Sequence, residues 1–300
     1  MSLFFTRQCL FIAILLTVAH SHAVFQSRDA PPTVYMDIRL IDEATISWEG
    51  WEISGCGNPT SAKVNSLLGF LFQFKPHVEA VIADARLGLR SPHGYAAFFK
   101  TITSMRKVKN KYEALKDASP VIVSSERARI IGKHTAQPRF QCIDENDLNQ
   151  ANILEQCLPL GTTSGFEPRP PLVVFPGTEI IAVCPSFFQL NQYRQPQREG
   201  GSALLCPPLG GDGKFPSGNG VLLTSAFGYA IHALVLLKNR ELWDGREDWN
   251  TIFDIQNAVE LSARDSLLNA ESYAFYAGAV QAGCTTFPKV KGRFDGELKA

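Results

Sequence analysis

The sequence predicts an α+β fold in which a small twisted β-sheet packs on a bundle of helices and three disulfides staple them together. Three observations lead there. First, apolar residues recur at helical spacing from Ser61 to about Ala85, as in Val64, Leu67, Leu68, Leu71, Val78 and Ile82. The later stretch "VLLTSAFGYAIHALVLLKNRELW" is apolar almost all round, as a buried helix is. Second, β-branched runs such as "PVIVSS" and "PLVVFPGTEIIAV" are bounded by Pro and Gly, which reads as strands and turns. Third, an even set of cysteines remains once the start of the chain is set aside.

That start, "MSLFFTRQCLFIAILLTVAHSHA", reads as a signal peptide over residues 1–23. Arg7 supplies the positive charge. The run from Cys9 to Ala19 is shorter than the roughly 20 residues a membrane span needs, and Ser21-His22-Ala23 gives a small–x–small cleavage site. Residues 24–300 are then one secreted, extracellular domain with no membrane segment. Along it, 24–60 mixes β-formers with turn formers. "SPHGYAAFFKTITSMRKVKNKYEALKDAS" continues the helical region after a boundary at Ser91-Pro92. Strands are expected through "PVIVSSERARIIGKHTAQPRFQC", and a hairpin through "PRPPLVVFPGTEIIAVCPSFFQL" with Pro176-Gly177 at its turn. "CPPLGGDGKFPSGNG" is a surface loop. The last third reads as two helices broken near Leu268-Asn269, and the polar tail after Cys284 is expected to be loose.

The composition is 45% hydrophobic, with 20 Phe and 4 Trp, enough for a packed core and against disorder. Lys+Arg and Asp+Glu balance at 29 each, which gives no basic stripe for nucleic acid. The "RKVKNK" run at 106–111 is a solvated helix face. Of 7 Cys, Cys9 leaves with the signal peptide. The six that remain, Cys56, Cys142, Cys157, Cys184, Cys206 and Cys284, read as three disulfides in an oxidising compartment. Proximity in sequence favours Cys142–Cys157 and Cys184–Cys206, leaving Cys56–Cys284 to tie the ends. No pair has the CxxC spacing of a cysteine zinc site, and Asn58-Pro59-Thr60 is blocked as a glycosylation site by its proline.

His232 stands in "GYAIHALVLLKN". A lone histidine on an apolar helix is by default a packed residue bonded to a carbonyl or carboxylate. A zinc-peptidase helix would instead place a second His four residues on and a general-base Glu next to the first. Those positions hold Leu236 and Ala233. Further along, "WNTIFDIQNAVELS" has the spacing of a G-T-x-x-D-x-x-Y-G signature, with Thr251 and Asp254 at the Thr and Asp positions. Asn250, Asn257 and Ala258 replace the Gly and Tyr residues. "LLNAESYAFYA" is similar to an N-A-D-S-Y-x-x-F-A run, and "SPHGYAAFFK", "FQCIDEND" and "VCPSFFQL" lie upstream in matching order. Over roughly 56–284 the chain thus resembles the deuterolysin-like (aspzincin, lysine-specific) metallo-endopeptidases of secreted fungal proteins.

The resemblance implies a zincin-like helical domain, with His232 as first zinc ligand and Asp254 as third. It also implies lost chemistry. Leu236 cannot bind a metal and Ala233 cannot take a proton from water. Two ligands give at most weak zinc binding, and loss of a general base alone costs roughly 10²–10⁴ in rate. The expectation is a peptidase-like protein without turnover and without a firmly held cofactor, taking a peptide or protein as partner. The alternatives are an active metallo-endopeptidase with an unconventional third ligand such as His93, and a secreted structural or effector-like protein. Glu241 lies about two and a half turns beyond His232, too far to act as its general base. The Gly-rich loop lacks a G-K-[S/T] phosphate pattern, no G-x-S-x-G elbow is present, and Asp144, Glu145 and Asp147 depart from EF-hand spacing.

Overall fold

Among the described residues, eight short strands form two sheets. They are β1 Arg39–Asp42, β2 Thr45–Trp48, β3 Trp51–Ser54, β4 Val121–Ile122, β5 Thr135–Ala136, β6 Arg139–Cys142, β7 Leu172–Val174 and β8 Ile180–Val183. The main sheet runs β1-β2-β3-β6-β8-β7, and β4 pairs with β5 apart from it. The computed structural model describes residues 39–42, 45–144, 154, 157, 170–175, 177–192, 206, 226–239, 255–285 and 287. All belong to one compact unit, Met36–Ala300. The expected signal peptide, the Gly-rich loop after Cys206, Glu145, Asp147, Glu241, Thr251 and Asp254 lie outside the described residues.

The α+β reading holds, but the main sheet is larger and more mixed than the sequence suggested. Antiparallel hairpins occupy both edges, and β3, β6 and β8 run parallel through the middle. The β2–β3 turn is Glu49-Gly50, both with positive φ, the two-residue geometry whose twist matches a hairpin. The expected 172–183 hairpin is present as β7–β8.

Helices α1 Ala62–Ala85, α2 Tyr95–Phe99, α3 Met105–Leu115 and α4 Ser125–Ile131 lie between β3 and β6, together with the small strands β4 and β5. Ser61 caps α1 by accepting from the Val64 N–H at 3.2 Å. Pro76 interrupts α1's bonding on its exposed side, where water can solvate the freed Phe72 carbonyl. The strands expected through "PVIVSSERARIIGKHTAQPRFQC" are present as β4, β5 and β6, but helix α4 interrupts them. Ser124 accepts from the Arg127 N–H at 3.2 Å and Gly132 ends the helix in the left-handed region, so local capping overrides the β-branched flanks.

The remaining helices are α5 Pro185–Gln192, α6 Ala226–Lys238, α7 Ile255–Glu260, α8 Ala263–Ser266 and α9 Ala270–Ala282. The break near Leu268-Asn269 is where the sequence placed it. The first of the two expected helices is itself broken, because Ser262 starts a new cap on the Asp265 N–H. Helix α9 is the hub: it packs against α6, α1, α2 and α7, while α6 also lies against α3 and β7. Its aromatic face joins Tyr273 and Tyr276 to Phe99 and Tyr112 through rings 5.0–6.1 Å apart. The tail is anchored further than expected: Phe287 packs edge-on to Phe98 at 5.4 Å.

The six cysteines among the described residues are paired, but none of the expected pairings is found. The disulfides are Cys56–Cys142, Cys157–Cys184 and Cys206–Cys284. Sheet adjacency outweighs sequence proximity. Parallel pairing of Ser54 with Gln141 sets Cys56 beside Cys142, although 86 residues separate them. Gly55 makes room, since a Cβ there would stand 2.7 Å from the Cys142 carbonyl oxygen. Cys184 follows β8 and meets Cys157 in a small core with Ile143 and Ala182.

Candidate functional site

His232 sits in the middle of α6, on the side that meets α9. Its neighbours in the apolar frame, Ala233 and Leu236, are 1% and 5% exposed. Across the helix pair, His232 Nε2 donates to Glu271 Oε1 at 2.9 Å, and the Glu271 side chain is fully buried. The default sequence reading, a packed histidine on a carboxylate, describes this contact.

Two features make a buried carboxylate tolerable here. Glu271 occupies the first turn of α9, where the helix dipole favours negative charge. That turn is fixed by Asn269, whose side chain accepts from the Ser272 N–H at 2.7 Å and from its hydroxyl at 3.0 Å. The arrangement is nonetheless incomplete. Glu271 Oε2 has no hydrogen-bond partner among the described residues, and a buried acceptor left bare costs about 1–3 kcal/mol.

The donors present do not fit a tetrahedral zinc. Two ligands each about 2.1 Å from such an ion stand roughly 3.4 Å apart, so a nitrogen and an oxygen at hydrogen-bonding distance are too close to share it. The residue next to His232 and the one four positions on, Ala233 and Leu236, carry only hydrocarbon. Among the described residues no group of three or more His, Cys, Asp or Glu side chains could hold a metal ion. Asp254, the other expected ligand, lies outside the described residues. The residues just after it form α7, where Ala258 is buried, Asn257 is exposed, and Lys100 Nζ donates to the Val259 carbonyl at 2.5 Å.

His93, the alternative third ligand, is engaged elsewhere. Its Nδ1 donates to the Cys284 carbonyl at 2.8 Å, and its Nε2 lies 4.0 Å from Asp84 Oδ1. Asp84 is a second buried carboxylate. Its Oδ2 accepts from the Tyr276 hydroxyl at 2.5 Å and from Ser91 Oγ. Ser91, His93 and Asp84 do not form a nucleophile relay, because the serine hydroxyl is given directly to the aspartate and no imidazole stands between them. Burial and the adjoining Asp84 push the Tyr276 hydroxyl far above the ordinary phenol range, so it remains a donor.

Neither Glu271 nor Asp84 was singled out by the sequence, although the signal was there: each is an acidic residue inside an otherwise apolar helical run, "NAESYAFYAG" and "VIADA". His77, on α1, packs its ring 5.3 Å from Phe227, and burial holds its pKa below the ordinary imidazole value. No family model and no curated protein matches this chain.

Proposed function

We propose that this is a secreted, disulfide-stapled protein of metallo-endopeptidase-like build that has lost turnover and acts by binding a peptide or protein segment. The observation that carries this reading is the closed His232–Glu271 pair. The imidazole that would lead a zinc site is committed to a buried carboxylate, and Ala233 and Leu236 supply neither base nor ligand. The order of elements supports the zincin-like part: the helix with His232 and α7, which follows Asp254 in the sequence, both pack against α9, the helix that carries "AESY". Three disulfides, and the lack among the described residues of any helix long and apolar enough to cross a membrane, support an extracellular setting. The bound segment would lie beside His232, whose side chain keeps 18% exposure.

Elemental analysis of the purified protein, paired with casein digestion with and without a chelator, tests this. The expected result is well under one zinc per chain and no chelator-sensitive digestion. One zinc per chain, lost in His232→Ala, would overturn the loss of catalysis and favour an unconventional site completed by Asp254.

A further inference from the structure

The three disulfides meet solvent differently. Cys56 and Cys142 are 3% and 0% exposed, and Cys157 and Cys184 are likewise 3% and 0% exposed. Both pairs are seated in or under the main sheet. In the third, Cys284 is fully buried, but Cys206 is half-buried, unlike the other five. Loop length does not separate this bond from Cys56–Cys142, since the partners stand 78 and 86 positions apart and loop entropy grows only with the logarithm of length. Access to a sulfur therefore decides which bond exchanges first.

The Cys206–Cys284 bond also stands at a junction. The Cys284 carbonyl accepts from His93 Nδ1, and its N–H donates to the Ala279 carbonyl at 2.9 Å, closing the end of α9. Three residues on, Phe287 covers Gly94 and packs on Phe98. Gly94 has φ +93°, and a Cβ there would lie 2.7 Å from the Phe287 ring, so the fit is made against bare backbone.

We propose that Cys206–Cys284 is a thiol-exchange site for dithiol reductants, and that opening it unfastens the 284–287 segment from the 91–98 turn and helix. The reaction balances as a two-electron reduction. A reductant thiolate attacks Cys206 Sγ, the Cys206–Cys284 bond breaks, and Cys284 leaves as a thiolate that takes a proton from water. The second reductant thiol, as its thiolate, then attacks the reductant sulfur of the mixed disulfide. Cys206 is released as a thiolate that is protonated in turn, and the reductant ends as its own disulfide. Attack from the other side is blocked by the burial of Cys284. The site is independent of the metallopeptidase-like reading.

Brief treatment of the oxidised native protein with dithiothreitol, without denaturant, followed by alkylation and peptide mapping, tests the proposal. Cys206 and Cys284 should label at least about tenfold faster than the other four cysteines, with the far-UV spectrum retained and hydrogen exchange rising over 91–98. Labelling of a sheet disulfide first, or of all six cysteines together, would overturn it. The Cys206→Ser/Cys284→Ser variant should fold and keep its two remaining disulfides in the same treatment. Failure of that variant to fold would show the bond to be a structural requirement and would also overturn the proposal.

Discussion

Of the three buried carboxylates Asp84, Glu179 and Glu271, the last two show most clearly how single residues set the energetics. Glu271, fully buried, and His232, largely so, form a pair, so removing one member costs more than removing both. Glu271→Leu removes the carboxylate that His232 Nε2 bonds and should destabilise by about 3 kcal/mol, whereas adding His232→Leu should recover much of that loss. A double-mutant cycle by urea unfolding measures the coupling, and additive effects would show that the contact contributes little. Glu179, 3% exposed, is the second case. Burial alone would raise its carboxyl. Hydrogen bonds from Arg127, one at 2.9 Å, its own backbone N–H and the Arg127 and Arg139 charges outweigh burial and hold it below the usual carboxylate range. Its folded pKa is thus lower than its unfolded one, and the unfolded chain takes the proton first. Its stabilising contribution is complete above the ordinary carboxylate value and is lost as pH falls through the lowered folded value. The urea midpoint should therefore drop on acidification below about pH 4.5, and Glu179→Gln should be weaker at neutral pH with a flatter profile over that window.

At the scale of elements, what the sequence made legible was whatever depends on local spacing. The 61–85 helix, the 226–238 helix, the β7–β8 hairpin and the break before Asn269 follow from periodicity and turn residues. Helix α4 did not, because Ser124 and Gly132 define it by caps inside a stretch rich in Val and Ile. The contacts between elements were not legible at all, since no local pattern tells Glu271 that its partner is 39 residues upstream. Lys238 is another such contact. At the end of α6 its side chain is 5% exposed, and its Nζ donates to the Ala114 and Asp117 carbonyls at 2.6 and 2.5 Å and lies 5.5 Å from the Trp51 ring. It therefore caps α3 from a different helix, supplying donors to carbonyls that α3 leaves unsatisfied. Lys238→Met keeps the stem's packing but removes the donors. The freed carbonyls can return to water, so the loss should be only about 1–2 kcal/mol. It should appear in hydrogen exchange as faster opening confined to the last turn of α3, and an unchanged pattern there would rule out the cap.

For the whole molecule, the constraint hardest to read from sequence is also the one with the largest effect on the unfolded chain. The parallel partners β3 and β6 are joined only after a long excursion through α1 to α4, so their pairing must overcome the closure entropy of that loop. The Cys56–Cys142 bond removes most of this entropy from the unfolded state. On the chain-entropy account, a separation of 86 residues corresponds to about 4.5 kcal/mol, a large share of the roughly 5–15 kcal/mol by which domains are stable. Cys56→Ala/Cys142→Ala should accordingly lower the unfolding free energy by about 4 kcal/mol in urea titrations. Protection should be lost first in β1–β3, because these strands reach the rest of the sheet only through β6. If the variant instead loses less than about 1 kcal/mol and unfolds as one unit, then the β3–β6 register is held by the Trp51–Phe140 contact and the Arg139–Glu52 ion pair rather than by the cross-link.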